Sequence, residues 1–174
     1  MKKSFLIIVF AFIATILFSC KKSSQLVSDP HDPLPALAPV TTIASEWLSM
    51  PLTIVKNSDG SSFLQASEAI DNVSQADLSS HHVLVYSRNP GRDSWVYNQL
   101  PMNITTDEGN VEVSYILDAT NFSVKMTNAD SYQPINIQRF ENFQFRFVLV
   151  AATDYETMQV DWSNYETVAT ALHL

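Results

Sequence analysis

Two neighbouring segments near the middle of the chain alternate so regularly that they restrict it to a β-rich fold. Val111, Val113, Tyr115 and Leu117 alternate with Glu112, Ser114, Ile116 and Asp118, and then Phe122, Val124 and Met126 alternate with Ser123, Lys125 and Thr127. A period of two sends successive side chains to opposite faces of a strand, so each segment reads as a strand with one face buried. Phe143, Phe145, Phe147 and Leu149 repeat the pattern against Gln144, Arg146, Val148 and Val150. The run His82–Tyr86 (HVLVY) is nearly all apolar and rich in β-branched residues, which predicts a strand covered on both faces.

The remaining segments are weaker. In Glu46–Lys56 the residues Leu48, Met50, Leu52 and Ile54 fall at period two, with Pro51 marking an edge or a bulge. Asn57-Ser58-Asp59-Gly60 is a turn in which Asp-Gly suits the positive φ of a tight hairpin, and Ser62–Ala69 is its return strand. Asp71–Ser80 is polar, a loop or a helical turn, and Trp95–Leu100 is a further strand with Trp95, Tyr97 and Gln99 on one side. Asn89–Asp93 and Asp107–Asn110 carry turn chemistry. About seven strand segments separated by turns predict an all-β fold, an antiparallel β-sandwich or a flattened barrel. The tail differs: Ser163-Asn164-Tyr165-Glu166 matches the S-x-x-E capping box, and Tyr165, Val168, Ala169 and Leu172 form one stripe of a short C-terminal helix packed on the sandwich.

The amino terminus carries an address. Met1-Lys2-Lys3 is a positive head, and Phe5–Phe18 is apolar except for Thr15. As a helix that segment spans ~20 Å against a hydrocarbon core of ~30 Å, the length of a signal-peptide apolar region and short for a spanning anchor. Leu17-Phe18-Ser19-Cys20 follows and contains the only cysteine. It resembles the lipobox of bacterial lipoproteins: Leu17 is the large aliphatic residue three before the cysteine, and Ser19 the small one just before it. The resemblance implies cleavage after Ser19, a thioether from Cys20 to diacylglycerol and an acylated new amino terminus. One acyl chain holds a membrane only marginally, at about 0.8 kcal/mol per buried methylene, so two or three chains make a lasting anchor. Lys21 stands where an aspartate retains lipoproteins at the inner membrane in enteric bacteria, so the resemblance points to the outer membrane, face undecided.

This division sets the organisation: residues 1–19 a signal peptide, 20–45 the lipidated cysteine and a tether with Pro30, Pro33, Pro35 and Pro39, and 46–174 the β domain. An ordered first strand near Pro39–Ile43 is the competing reading of the tether's end. Removing residues 1–19 takes away two lysines and shifts the net charge from -8 to about -10. No basic cluster remains beyond Lys21-Lys22, so nucleic acid is excluded as a partner. With Cys20 spent on lipid, the domain has no disulfide, thiol nucleophile or thiolate metal site.

Catalytic motifs are sparse. Gly60, Gly91 and Gly109 lie too far apart for a phosphate loop, a dinucleotide fingerprint or a nucleophile elbow. His81-His82 would point to opposite faces of a strand, which argues against a shared metal ion. A calcium loop around Asp59 would need acids at Val55 and Ala66. Asp93 and Asp107 are the carboxylates a hydrolase would have to bring together. Neither metal nor cofactor is expected. Trp47, Trp95, Tyr97 and Trp162 could stack against sugar rings, or fill the core.

VLVYSRN (Val83–Asn89), QLPMNIT, VEVSYILDATNFSVKMTNAD and FRFVLVAA together resemble a group of small uncharacterised lipoproteins of the Bacteroidota. Val83–Tyr86, Trp95–Pro101, Val113–Tyr115 and Phe145–Val150 carry the resemblance from about Trp47 onward, with Ala151-Ala152 in place of a proline and glycine. It implies a β-sandwich lipoprotein and supplies no catalytic residue. The expectation is therefore a non-catalytic envelope module that binds a partner protein or assists assembly; the alternative is a glycan-binding lipoprotein using Trp47, Trp95 and Tyr97.

Overall fold

A computed structural model of the chain describes residues 42–90, 96–129 and 135–174. Cys20, the lipobox-like stretch, most of the tether, Gly91, Asp93 and Trp95 lie outside the described residues.

Among the described residues, nine strands form two antiparallel sheets: β1 (Thr42–Ala44), β2 (Thr53–Lys56), β3 (Ser62–Ala69), β4 (His81–Arg88), β5 (Tyr97–Gln99), β6 (Met102–Thr106), β7 (Gly109–Leu117), β8 (Asn121–Asn128) and β9 (Gln144–Ala151). The first sheet runs β1-β9-β4-β5 and the second β2-β3-β8-β7-β6. Their facing sides enclose one core, in which Phe122 and Phe147 meet edge-to-face at 5.5 Å. The sandwich expected from the alternation is therefore present. In β7 and β8, Val111, Val113, Phe122, Val124 and Met126 are buried, while Glu112, Ile116 and Lys125 face out. The Asp59-Gly60 turn closes the β2–β3 hairpin with Gly60 at φ 88°, a conformation that favours glycine.

The described sandwich has two strands beyond the seven expected. β1 occupies residues assigned to the tether and pairs with β9, Thr42 opposite Val150. β6 leaves little trace in the sequence, because it is short, follows Pro101 and shows only Met102 and Ile104 as apolar positions.

The segment 46–56 is not one strand; it changes sheets. The Ser45 amide donates to the Phe147 carbonyl at 3.1 Å, and the Leu48 amide to that of Phe145 at 2.8 Å. Glu46 and Trp47 therefore both stand opposite Arg146, and this extra residue is a β-bulge. It reverses the phase of the alternation. Ile43 points into the core before it, and Leu48, Met50 and Leu52 point in after it, which throws Trp47 onto the outer face. The chain then crosses by Pro51 to the second sheet, where β2 is an edge strand.

A second core covers the outer face of the first sheet. β4 and β9 are its central strands, so both their faces are buried: Val85 and Phe147 inward, Leu84, Tyr86, Val148 and Val150 outward. The outward set packs against α3 (Tyr165–Leu172) through Tyr165, Val168 and Leu172, the stripe expected from the sequence. The helix cap differs from the expected box. The Ser163 hydroxyl is taken by the Asp161 carboxylate at 2.6 Å, and Asn164 caps instead, accepting from the amides of Glu166 and Thr167. The Asn164 side-chain oxygen accepts from two amides at once, so the helix starts one residue later than the box predicts. A capping box does form at α1 (Gln75–Ser80), between Ser74 and Asp77, in the segment read as a loop or helical turn. A short helix, α2 (Ala152–Thr157), follows β9 directly. Among the described residues no helix is long and apolar enough to cross a membrane.

Candidate functional site

The bulge and β5 bring Trp47 and Tyr97 together, 5.7 Å between ring centroids. Both are half-buried in the second core. The Arg88 guanidinium lies 4.3 Å from the Trp47 ring centre, and Tyr165 meets both rings, at 5.0 Å from Trp47 and 4.8 Å from Tyr97. The Tyr165 hydroxyl in turn accepts from Arg146 at 2.5 Å. Trp162 stands elsewhere on the same face, stacked on Tyr155, which stacks on His82. These aromatic rings therefore act chiefly on one another: arginine above, tyrosine beside, sheet beneath. Trp95, the third residue of the expected platform, lies outside the described residues.

The histidines and carboxylates also have structural partners. His81 Nδ1 lies 2.9 Å from the Asp77 carbonyl, where it closes α1, while His82 turns to the opposite face. Asp107 pairs with Arg139. Asp59, Asp77 and Asp118 each accept hydrogen bonds from a nearby Ser or Thr hydroxyl and amide, which hold their carboxyls below the ordinary value. Tyr86 is fully buried and donates to the Trp162 carbonyl at 2.6 Å, and burial pushes its phenol well above the ordinary value.

Among the described residues, a groove also lies between the edge strands β5 and β6. These are the last described strands of their sheets on the same side of the sandwich, and no described strand bridges them. The chain passes between them in two residues, Leu100 and the cis-linked Pro101. Leu100 is buried, its amide donating to the Val85 carbonyl at 2.8 Å, so the crossing is pinned deep and leaves the edges apart. The groove between them has a volume of about 340 Å3 and is lined by Asn89, Val96, Asn98, Met102, Asn103, Ile104, Thr105 and Phe143. That is within the ~300–1,000 Å3 of small-ligand sites. Met102, Ile104 and Phe143 belong to the inner core and show the groove one flank; Asn98, Asn103 and Thr105 are polar and reach its rim. None of these lining side chains is ionisable. The asparagine amides can hold a ligand by donating and accepting hydrogen bonds, and the Thr105 hydroxyl, which donates to Asn110 Oδ1 at 2.9 Å, can still accept; carboxamides do not exchange protons near neutrality. The sequence signal for this site was faint: two of the lining strands are short edges, and asparagine at strand ends reads as turn chemistry.

Comparison with protein-family models, with curated proteins and with solved structures finds no match to this chain.

Proposed function

We propose that this chain is a lipid-anchored lipoprotein of the bacterial cell envelope whose β-sandwich is a non-catalytic binding or assembly module. The lipobox-like Leu17-Phe18-Ser19-Cys20 behind an apolar segment supports the anchor, with Cys20 as its attachment point and the outer membrane as its location. The observation that carries the binding role is the groove between β5 and β6, whose rim is built from hydrogen-bonding amides over an apolar flank. One sheet face is sealed by the protein's own C-terminal segment, while the groove stays open to solvent.

Intact mass spectrometry of the product extracted from native membranes tests the anchor. The expected product lacks residues 1–19 and carries diacylglycerol and acyl mass on Cys20; an unmodified sulfur with the leader attached overturns the reading. For the binding role, photo-crosslinkers placed at Asn98 and at Lys125, on the other sheet, are compared in intact cells. Adducts at Asn98 alone are expected, and equal yields at both positions count against the groove.

A further inference from the structure

We propose that the groove between β5 and β6 binds a neutral saccharide, an inference that rests on the binding-module reading and names its ligand class. The chain carries 18 acidic and 10 basic residues, yet no charge lines this groove among the described residues. Carboxamides over apolar side chains suit an uncharged ligand rich in hydroxyls. Sugar hydroxyls donate and accept at once, and a carboxamide does the same through its two ends. Asn98 and Asn103 supply such ends from the two facing edges, one from each sheet. Between them the Phe143 ring, Met102 and Ile104 offer an apolar surface for the C–H face of a pyranose. The site is distinct from the Trp47–Tyr97 cluster, whose rings pack on Arg88 and Tyr165.

Methionine methyl NMR on the mature lipidated protein, in a detergent without a sugar head group, reads this directly. Met102 lines the groove, while Met50 and Met126 are buried in the core and serve as fold controls. Maltose, cellobiose and diacetylchitobiose are titrated singly, with glucuronate as the anionic counterpart. At least one neutral disaccharide should move the Met102 methyl saturably while Met126 stays fixed. The exposed double substitution Asn98→Ala/Asn103→Ala should weaken that binding about tenfold or more, with Met126 unshifted. The assignment is overturned if none of the three moves Met102, if the double substitution changes nothing, or if glucuronate binds equally well. If only a strand-forming peptide moves Met102, by adding to the β6 edge, the saccharide is wrong and the binding module stands. An unlipidated Cys20 would instead sink the anchor and leave the groove titration intact.

Discussion

Replacing Tyr86 by phenylalanine removes one oxygen from the second core and leaves the ring in place. The Tyr86 hydroxyl donates to the Trp162 carbonyl at 2.6 Å, tying β4 to the segment that leads into α3, and its ring meets Tyr165 edge-on at 5.2 Å. Losing the bond costs about 0.5–1.5 kcal/mol, and leaving the carbonyl without its partner raises the total to about 1–3 kcal/mol. A domain of this size should then melt about 4–11 °C lower. The pH dependence adds a second, independent mark. Burial raises the Tyr86 pKa in the folded state, so its contribution is complete below the unfolded value of ~10 and is lost as pH climbs towards the folded value. The phenyl ring of the variant has no proton to lose. Urea unfolding at pH 7 should place Tyr86→Phe below the parent, and the gap should narrow above pH ~10. Tyr115, also raised by burial, keeps some alkaline slope in both proteins. Equal stability at pH 7 with parallel curves into alkali would refute the bond and the packing of the tail on this sheet.

Deleting Glu46 removes the extra residue and leaves Trp47 alone opposite Arg146 with Leu48, Met50 and Leu52 still inward, so the deletion should give a folded protein by circular dichroism, and Glu46→Ala at the same exposed position shifts stability by less than about 0.5 kcal/mol; a deletion that unfolds the domain would refute the bulge. Asn164→Ala should cost about 0.5–2 kcal/mol through loss of the α3 cap, and Ser163→Ala clearly less, as read by thermal unfolding; the reverse order would restore Ser163 as the cap. The hydroxyl and amide of Ser61 on Asp59, those of Ser74 on Asp77, and the amide and hydroxyl of Thr120 on Asp118 depress three carboxyl pKa values. Their contribution is complete above the unfolded value of ~4 and fades as pH falls through the lowered values, so Asp59→Asn/Asp77→Asn/Asp118→Asn should flatten the stability profile between pH ~4 and ~2. An unchanged slope would assign acid lability elsewhere.

Where side chains alternate or a turn needs particular residues, the sequence alone was decisive. The faces of β7 and β8, the double burial of β4, the Asp59-Gly60 hairpin and the α3 stripe follow from contacts within a few residues, and these are written in spacing. Tertiary structure decided the rest. Nothing local tells the period-two run from Glu46 to Lys56 that it must leave one sheet for the other, or that a bulge opposite Arg146 must invert its phase. β1 and β6 are strands because β9 and β7 offer them hydrogen-bonding edges, not because their own three and five residues demand it. The α3 cap fell to Asn164, the neighbour of Ser163, through where the chain enters the helix. The groove arises because β5 and β6, each an edge of a different sheet, end on one side of the sandwich. Spacing encodes which face a side chain takes, because that depends on backbone geometry repeated every residue or turn; which partner meets that face depends on the packing of segments far apart in the chain.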